Sequence, residues 1–324
     1  MAQALIRKTV IDDWKTWLPQ SIEPAQQDEY VSLSNFVRVI EQAASEANTP
    51  HLGWLIGGKC NYLSRGILGR AVLGSKTLGV GLHWLCRFYP LIQDATHVKL
   101  EVNDGLARLS YKILDPKIWP REQDALYTLS IFTNFLKAAA GDILMTSRIY
   151  LEAPKSQYNS ELQRHLHIPI TFGASANEII FPAKFLQKPL AKNNPVTHAE
   201  ISQLTRIYSE KNRKMKISDR VKYVIYTAIL ETQVSQEYVA KELGLSPRTL
   251  RRKLSAEALS YQHLLDDCRM DIASRELTAS RHISLSQMAL RLGYSDHSTF
   301  SRAFARWFGT SPRTFRAEMS GASA

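Results

Sequence analysis

The last third of the chain contains one helix-turn-helix pattern twice, in residues 238–254 and 287–304. Ala240, Gly244 and Ser246 recur 49 positions later, and Leu250, Arg252 and Leu254 recur 50 positions later as Phe300, Arg302 and Phe304. One additional residue near Asp296 accounts for the change in spacing. The repeat predicts a helical domain with two similar units, because each copy carries its own apolar set at helical spacing.

In the first copy the apolar set lies on both sides of a tight turn, and it comprises Val239, Leu243, Leu245, Leu250 and Leu254. Gly244 occupies the turn, where a positive φ costs glycine little. Ser246 is a suitable N-cap, and Pro247 suits the first helical position, which has no intrahelical partner for an N–H. These signals predict that the second helix of the unit begins after Ser246.

The two second helices have different outward faces. With Leu250 and Leu254 buried, the opposite side of the first helix presents three arginines, whose guanidinium groups can contact guanine O6 and N7 in a major groove. The candidates for base reading are Arg248, Arg251, Arg252, His297, Ser298, Ser301 and Arg302. The candidates for phosphate contact are Thr249, Lys253, Thr299 and Arg306.

The second copy has a bulkier predicted core, comprising Ala289, Leu292, Tyr294, Phe300, Phe304, Trp307 and Phe308. Either Ser295 or Asp296 can cap its second helix. Between the copies, residues 261–277 predict one helix with an apolar side formed by Leu264, Leu265, Cys268, Ile272 and Leu277. A stiff connector suits a reader of two successive major grooves, which lie about 34 Å apart.

Charge is concentrated where the repeat lies. The net charge is +11, and residues 211–324 contribute +8 of it, with 19 Lys and Arg against 11 Asp and Glu. An apolar stripe alone is typical of a core, but two matched copies with outward basic residues in the most basic third favour binding to a polyanion. The chain lacks a long apolar run and has scattered cysteines, so we expect no membrane association and a cytoplasmic protein with reduced thiols.

The first half predicts an α+β domain of helices with a largely antiparallel sheet. Helical spacing covers residues 30–47, a second helix is predicted to begin with Ser75 as its N-cap, and a third covers residues 121–140. Residues 97–102 and 106–113 alternate around Asn-Asp-Gly and predict a hairpin. Residues 149–151, 168–172 and 178–181 are short strand candidates, the last two on either side of a turn at 173–177.

We place the N-terminal domain at residues 1–190 and the expected DNA-binding domain at 216–320. Residues 191–215 are the expected linker and linking helix, which opens at the capping-box spacing of Thr197 and Glu200. Within the second domain, the two helix-turn-helix units cover about 235–258 and 284–308, and the connector covers about 261–277. The predicted fold class is therefore α+β followed by all-α.

The stretch from about Ser218 to Arg316 resembles the DNA-binding domain of the AraC/XylS family of bacterial transcription regulators, and its most specific part is Ile283 to Arg316. The resemblance implies two recognition helices in adjacent major grooves of promoter DNA, and it places the base-reading role on the seven residues named above. Arg251 departs from the family pattern, in which a smaller polar residue often occupies this place. The resemblance also implies an activator that contacts RNA polymerase.

The N-terminal half resembles the arabinose-binding-type sensor domain of one branch of that family, through residues 66–85, 158–172 and 177–181. Members of this branch respond to varied small molecules, so the resemblance implies a small-molecule effector, with self-association as a homodimer left open. Two alternatives remain: a ligand-independent regulator whose first domain only dimerises, and an enzyme domain fused to a DNA-binding domain.

Other possible sites are weaker. His165 and His167 lack further metal ligands nearby, and residues 57–60 carry only a fragment of a phosphate-binding loop, which we interpret as a turn. No arrangement of nucleophile, base and acid has the spacing that catalysis requires. We therefore expect no enzymatic activity, no metal and no cofactor.

Overall fold

The computed structural model describes residues 4–7, 10, 12, 14, 16, 30–60, 66–154, 159–166, 168–190, 195–230, 232–279 and 283–321. The chain divides into two compact units, with the boundary between Lys211 and Asn212. Parts of the expected loop after Pro189, together with Tyr158 and His167, lie outside the described residues.

The first unit contains helices and strands in alternating groups. Its helices are α1 (Leu33–Glu46), α2 (Leu52–Lys59), α3 (Gly66–Leu73), α4 (Leu78–Phe88), α5 (Glu122–Ala139), α6 (Asn159–Leu166) and α7 (His198–Lys214). Its strands are β1 (Leu5–Arg7), β2 (Tyr30–Ser32), β3 (Thr96–Asn103), β4 (Leu106–Ile113), β5 (Arg148–Leu151), β6 (Ile170–Phe172) and β7 (Asn177–Pro182). Short 3-10 turns at Tyr89–Leu91, Ile143–Thr146 and Ala183–Gln187 complete the unit.

The larger sheet has the strand order β3-β4-β7-β5-β6, and its pairs are antiparallel except for β5 with β6. The predicted hairpin is confirmed, with Asp104 at φ +50° and Gly105 at φ +76° in the two-residue turn between β3 and β4. This pair of positive φ angles suits the right-handed twist of the flanking strands. The α+β class is therefore confirmed.

We expected a simple turn to join β6 and β7 as neighbouring strands, but the structure arranges these strands differently. β6 and β7 are not neighbours, because β5 lies between them and pairs with both. β5 and β6 run in parallel, which requires a crossover, and α6 lies in the connection between them. Parallel strands cannot be joined by a short turn, so the longer connection follows from the topology.

Three local predictions were wrong. Residues 30–32 form β2, which pairs with β1, and the helix begins only after Ser32, whose hydroxyl accepts from Asn35 N. Thr77 caps α4 in place of Ser75, whose hydroxyl donates to Ala71 O.

Residues 57–59, which we expected to form a turn, belong to α2, where a Cβ on Gly57 would lie 2.4 Å from Tyr127 O. That glycine allows α2 to approach the backbone of α5 closely.

Helix α5 forms the centre of the first unit, since nearly all of its residues from Gln123 to Leu136 are buried. At its N-terminus, burial raises the pKa of Glu41 to about 8, of Glu122 to about 7 and of Asp124 to about 6. Glu41 lies on α1, and its Oε1 accepts from Gln123 N at 2.7 Å. Three carboxyl groups therefore hold protons more tightly in the folded unit than in the unfolded chain.

This arrangement predicts that the first unit loses stability as pH rises. A group whose folded pKa exceeds its unfolded value stabilises fully below the unfolded pKa, about 4.5 for Glu41, and loses that contribution up to the folded value of about 8. Glu41→Gln should therefore raise the free energy of unfolding at pH 8 by roughly 1–3 kcal/mol and flatten the pH profile. Urea unfolding of the full-length chain measures this change in stability. The midpoint is determined about once per pH unit between pH 5 and 9.

Glu46 on the same helix is exposed, so Glu46→Gln serves as the matched control. A steep pH profile that persists in Glu41→Gln would assign the dependence to other groups.

Helix α7 packs on the first unit although it lies within the segment expected to link the domains. Thr197 and Glu200 form the predicted capping box, with Glu200 N donating to Thr197 Oγ1 at 3.2 Å and Thr197 N donating to Glu200 Oε2 at 3.0 Å. Leu204 is buried in a cluster with Ala71, Phe88 and Leu91. The first unit therefore holds this helix through a continuous apolar contact.

The second unit is all-α within the described residues. Its helices are α8 (Ile217–Ala228), α9 (Gln236–Glu242), α10 (Pro247–Ser255), α11 (Tyr261–Ala279), α12 (Leu285–Arg291), α13 (His297–Phe308) and α14 (Pro312–Gly321). Across the described parts of both units, no helix combines the length and apolar character needed to cross a membrane.

Candidate nucleic-acid interface

The first helix-turn-helix consists of α9 and α10, joined at Gly244. Ser235 Oγ accepts from Tyr238 N at 3.1 Å and caps α9, and Gly244 has φ +65° in the turn. Ser246 Oγ accepts from Thr249 N at 3.2 Å, with Pro247 at the first helical position. The predicted turn and cap are confirmed, and local hydrogen bonds therefore define where α10 begins.

Helix α10 has one buried and one exposed face. Leu250 and Leu254 are buried against the unit, as expected. The predicted readers Arg248, Arg251 and Arg252 are all exposed, and so is Lys253. Thr249 is half-buried, with its hydroxyl 2.9 Å from Ser246 Oγ. The described side chains thus place three guanidinium groups on one surface, while the threonine takes part in the cap.

The second helix-turn-helix consists of α12 and α13. Ser284 and Gln287 form a capping box at the start of α12, a signal that was present in the sequence as Ser-x-x-Gln. Gly293 has φ +77° in the turn. Asp296 is the N-cap of α13, since its Oδ1 accepts from Thr299 N at 2.8 Å.

The cap also sets the charge at this end of the helix. The Thr299 N–H, together with the Ser295 and Thr299 hydroxyls, lowers the pKa of Asp296 to about 2. The cap is therefore a carboxylate at neutral pH. Of the two alternatives, Asp296 is preferred because its two oxygens can accept from Thr299 N and from both hydroxyls, while Ser295 Oγ donates to it at 2.8 Å.

Helix α13 exposes most of its predicted readers. His297, Ser298, Arg302 and Arg306 are exposed, and Ser301 is half-buried. The Thr299 hydroxyl donates to Asp296 Oδ2 at 3.0 Å and accepts from Arg302 Nη2 at 3.4 Å. That interaction holds Arg302 near the N-terminal turn of the helix.

The predicted core of the second copy needs correction at Tyr294, which is half-buried, and at Trp307 and Phe308. Phe300 and Phe304 are fully buried, but Trp307 is 39% exposed and Phe308 is 38% exposed. Trp307 stacks on His263 of α11, with ring centroids 6.1 Å apart. Its ring covers the polar first turn of α11 and does not enter the core.

Helix α11 (Tyr261–Ala279) connects the two helix-turn-helix motifs as expected. Its predicted apolar side chains Leu264, Leu265, Cys268, Ile272 and Leu277 are all buried. Burial raises the pKa of the Cys268 thiol to about 12, so this cysteine is a core residue with little thiolate. Polar contacts tie α11 to α8, with Lys222 Nζ 3.0 Å from Asp267 Oδ2 and Tyr226 Oη donating to Asp271 Oδ2 at 2.7 Å.

Arg269 is an orienting residue that the sequence pattern did not reveal. It lies on α11 and donates to Leu292 O at 2.8 Å and to Gly293 O at 3.1 Å. Its guanidinium lies 4.7 Å from the centre of the Tyr294 ring. These contacts attach the turn of the second helix-turn-helix to α11. They therefore set the direction in which α13 leaves that turn.

A groove of about 530 Å³ lies between α11 and α13. Arg269, Arg302 and Arg306 line it together with Asp266. Three guanidinium groups against one carboxylate give the groove a positive balance, which attracts anions such as phosphate.

Known protein families match both units. The family model described as the arabinose-binding domain of AraC transcription regulators matches residues 20–190, more than half of the chain. A helix-turn-helix domain model matches residues 239–318, which include both copies of the repeat. The chain belongs to the AraC family of transcription regulators. It is a DNA-binding protein of the helix-turn-helix class.

Relatives similar over most of their length are named as regulators. The chain is 27% identical over 293 residues to the ornithine utilization regulator of Pseudomonas aeruginosa, covering 88% of this chain and 84% of that protein. It is 27% identical over 310 residues to the regulator VirS of Mycobacterium tuberculosis, covering 93% and 88%. A shorter match of 78 residues, 40% identical, links 24% of this chain to 26% of the urease operon transcriptional activator of Escherichia coli.

Among solved structures, the transcriptional regulator CdpR from Pseudomonas aeruginosa aligns with 96% of this chain and 97% of its own, at 21% identity and a TM-score of 0.42.

Proposed function

We propose that the chain is an effector-responsive transcription activator of the bacterial cytoplasm. Residues 216–320 would bind promoter DNA, residues 1–190 would bind a small molecule, and residues 191–215 would join them. The observation that carries the proposal is the pair of capped helices α10 and α13, each following the same glycine turn and each exposing arginine on the side away from its buried face.

Each of the two helices occupies one major groove, and successive grooves are about 34 Å apart. Base reading falls to Arg248, Arg251 and Arg252 in one groove and to His297, Ser298, Ser301 and Arg302 in the next. Because α10 presents more guanidinium groups, we expect it to contribute more electrostatic affinity and to favour guanine. A binding profile with guanine preference only under α13 would contradict this assignment.

Phosphate contacts fall to Lys253 and Arg306, which are exposed beside the readers. Thr249 and Thr299 are half-buried, and their hydroxyls are engaged with the caps, so each would exchange a cap hydrogen bond for one to phosphate. Arg269 and the groove beside α13 support the same role, because they hold a positive surface next to the reading helix.

The activating role requires contact with RNA polymerase, and effector binding would alter domain arrangement or self-association as a homodimer. The shorter similarity to a protein named an activator supports activation. A ligand-independent regulator whose first domain only dimerises is the second candidate, since an antiparallel sheet with an edge strand, β3, can pair with another copy. The relatives named as regulators argue against the alternative of an enzyme domain fused to a DNA-binding domain.

Alanine substitution of one arginine on each reading helix tests the DNA contacts. Arg252→Ala and Arg302→Ala should each weaken specific binding by roughly 1–3 kcal/mol, about 5- to 150-fold, with the fold retained because both side chains are exposed. The site is first selected from a random DNA library with the full-length protein. Fluorescence anisotropy at fixed salt then measures the affinity of each variant.

Arg148→Ala is the matched control, since Arg148 is an exposed arginine of the first unit. Normal affinity in both Arg252→Ala and Arg302→Ala would refute the reading faces. Equal losses on specific and random DNA would reassign the two arginines to phosphate.

A further inference from the structure

The two turns of the repeat have similar backbones but different surroundings. Their glycines, Gly244 and Gly293, have φ +65° and φ +77°. A Cβ on Gly244 would meet open space among the described residues, whereas a Cβ on Gly293 would lie 3.0 Å from Arg269 Nη2. The second turn therefore packs against a side chain of the connector α11, while the first turn is open at the corresponding position.

The Arg269 side chain is 16% exposed and lies between α11 and the second turn. Its Nε donates to Leu292 O at 2.8 Å, and its Nη2 donates to Gly293 O at 3.1 Å. Leu292 is the C-cap of α12, and the carbonyl groups at a helix C-terminus have no intrahelical partner. Because one planar guanidinium group contacts two successive carbonyl groups, it fixes both the position and the direction of the turn.

The contact continues from the turn into the buried face of α13. The Arg269 guanidinium lies 4.7 Å from the centre of the Tyr294 ring. The Tyr294 and Phe300 ring centroids lie 5.6 Å apart, and Phe300 is fully buried on α13. A continuous path of side chains therefore joins the connector to the reading helix, and close packing along it resists a change of angle between them.

The same connector contacts the first helix-turn-helix near its N-terminus. Tyr261, the first residue of α11, donates from Oη to Val234 O at 2.9 Å. Val234 directly precedes Ser235, the N-cap of α9. Tyr261 and Arg269 are eight residues apart, a rise of about 12 Å along one helix. The relative position of the two motifs therefore depends on how each is attached to α11.

We infer that Arg269 is a positioning residue for DNA recognition, which sets the separation between the two DNA segments that α10 and α13 read. This inference rests on the proposed function of those two helices. One additional base pair between the segments moves the second segment by about 3.4 Å and rotates it by about 35° around the duplex. A protein in which α13 is fixed to α11 cannot follow this change, so it discriminates between spacings.

The dependence of DNA affinity on spacing tests this role in the full-length protein. A site is selected from a random DNA library with the wild-type protein, and a second version carries one additional base pair between its two selected segments. Fluorescence anisotropy measures both affinities. The wild-type protein should bind the second version about 30-fold more weakly, because α13 loses its contacts while α10 keeps them.

Arg269→Met should bind the selected site about 10-fold more weakly than the wild-type protein and the lengthened site about equally well. The additional base pair should therefore weaken its binding only about threefold. Binding of the lengthened site depends on α10 alone, which Arg269 does not contact. Arg148→Met, which removes an exposed arginine of the first unit, is the matched control and should keep the wild-type dependence on spacing.

Arg269→Lys separates positioning from charge. Lysine keeps the positive charge, but it lacks the planar fork that contacts both carbonyl groups and lies over the Tyr294 ring. The lysine variant should therefore resemble Arg269→Met. A wild-type dependence on spacing in either variant overturns the role of Arg269, and so does a wild-type protein that binds both versions equally.

A second variant covers the case in which Arg269→Met does not fold. Tyr294→Leu keeps an apolar contact for Phe300 and removes the ring under the guanidinium, so it should reduce the dependence on spacing by about threefold. Tyr150→Leu, at a half-buried tyrosine of the first unit, is its control. Equal dependence on spacing in these two variants overturns the path through Tyr294.

The selection step separates failure of this inference from failure of the proposed function. If the wild-type protein selects no DNA sequence, the proposed function is wrong. If it selects a site and Arg269→Met shows the wild-type dependence on spacing, the proposed function stands and the role of Arg269 alone is overturned.

Discussion

Replacing Phe304 with alanine is expected to lower the free energy of unfolding of the second helix-turn-helix unit by about 3–5 kcal/mol. Phe304 is fully buried, and its ring contacts those of Phe300, Phe308 and Phe315 at centroid distances of 5.8, 4.5 and 5.3 Å. Its removal leaves a cavity between α13 and α14 that rigid aromatic neighbours fill poorly. Hydrogen exchange of peptides from α12–α14 in the full-length protein measures the effect.

Trp307→Ala provides the matched control three residues away on the same helix. Trp307 is 39% exposed and stacks on His263, so its loss should cost less than about 1 kcal/mol. Equal losses of protection in Phe304→Ala and Trp307→Ala would contradict the expectation that the stability of this unit depends on the buried Phe304 ring. Phe304→Ala should also reduce DNA affinity, because α13 would no longer be held in place.

The second large effect is expected at Arg121, whose side chain is 3% exposed and pairs with Glu152, itself 5% exposed. Its Nη2 donates to Glu152 Oε1 at 3.0 Å and to Oε2 at 2.9 Å, and its Nη1 donates to Ile113 O at 2.6 Å. Asn177 Nδ2 also donates to Glu152 Oε2, at 3.1 Å. The pair therefore joins the start of α5 to the ends of β4 and β5 and to the start of β7.

Arg121→Met should lower the free energy of unfolding of the first unit by about 3–5 kcal/mol, because it leaves the Glu152 carboxylate buried without its cation. Urea unfolding of the full-length chain, followed by hydrogen exchange in β4, β5 and β7, measures this loss. Removing both charges in Arg121→Met with Glu152→Met should restore most of the stability, since no uncompensated charge remains. A double variant less stable than Arg121→Met would contradict the electrostatic explanation.

Elements defined by neighbouring residues could be predicted from the sequence. Ser246 caps α10 and Thr197 caps α7, because each serine or threonine hydroxyl accepts from an N–H three residues later. Asp104 and Gly105 form the hairpin turn because their backbone angles are a local property. The exposed arginines on α10 follow from the same logic, since burying Leu250 and Leu254 directs Arg248 and Arg252 to the other side.

Elements that depend on distant partners could not be predicted in this way. Residues 30–32 have helical spacing but form a strand, because β1, more than twenty residues earlier, provides hydrogen-bond partners. The strand order β7-β5-β6 depends on a crossover, and the adjacent sequence resembles a simple turn. Arg269 reaches carbonyl groups 23 and 24 residues later, at a separation that no helical periodicity marks.

In the repeat, some features are set by neighbouring residues and others by residues distant in the chain. Its spacing, turn glycines and outward arginines are encoded within about twenty residues for each copy, so the sequence was enough to predict two helix-turn-helix motifs with unequal outward faces. Long-range packing was needed to find the contacts of Arg269 with the second turn, the exposed position of Trp307 and, in the first unit, the buried cluster of Asp124 with Tyr111 and Gln93. Those features arise where helices and strands distant in the chain meet, and burial there sets both the hydrogen bonds and the pKa values.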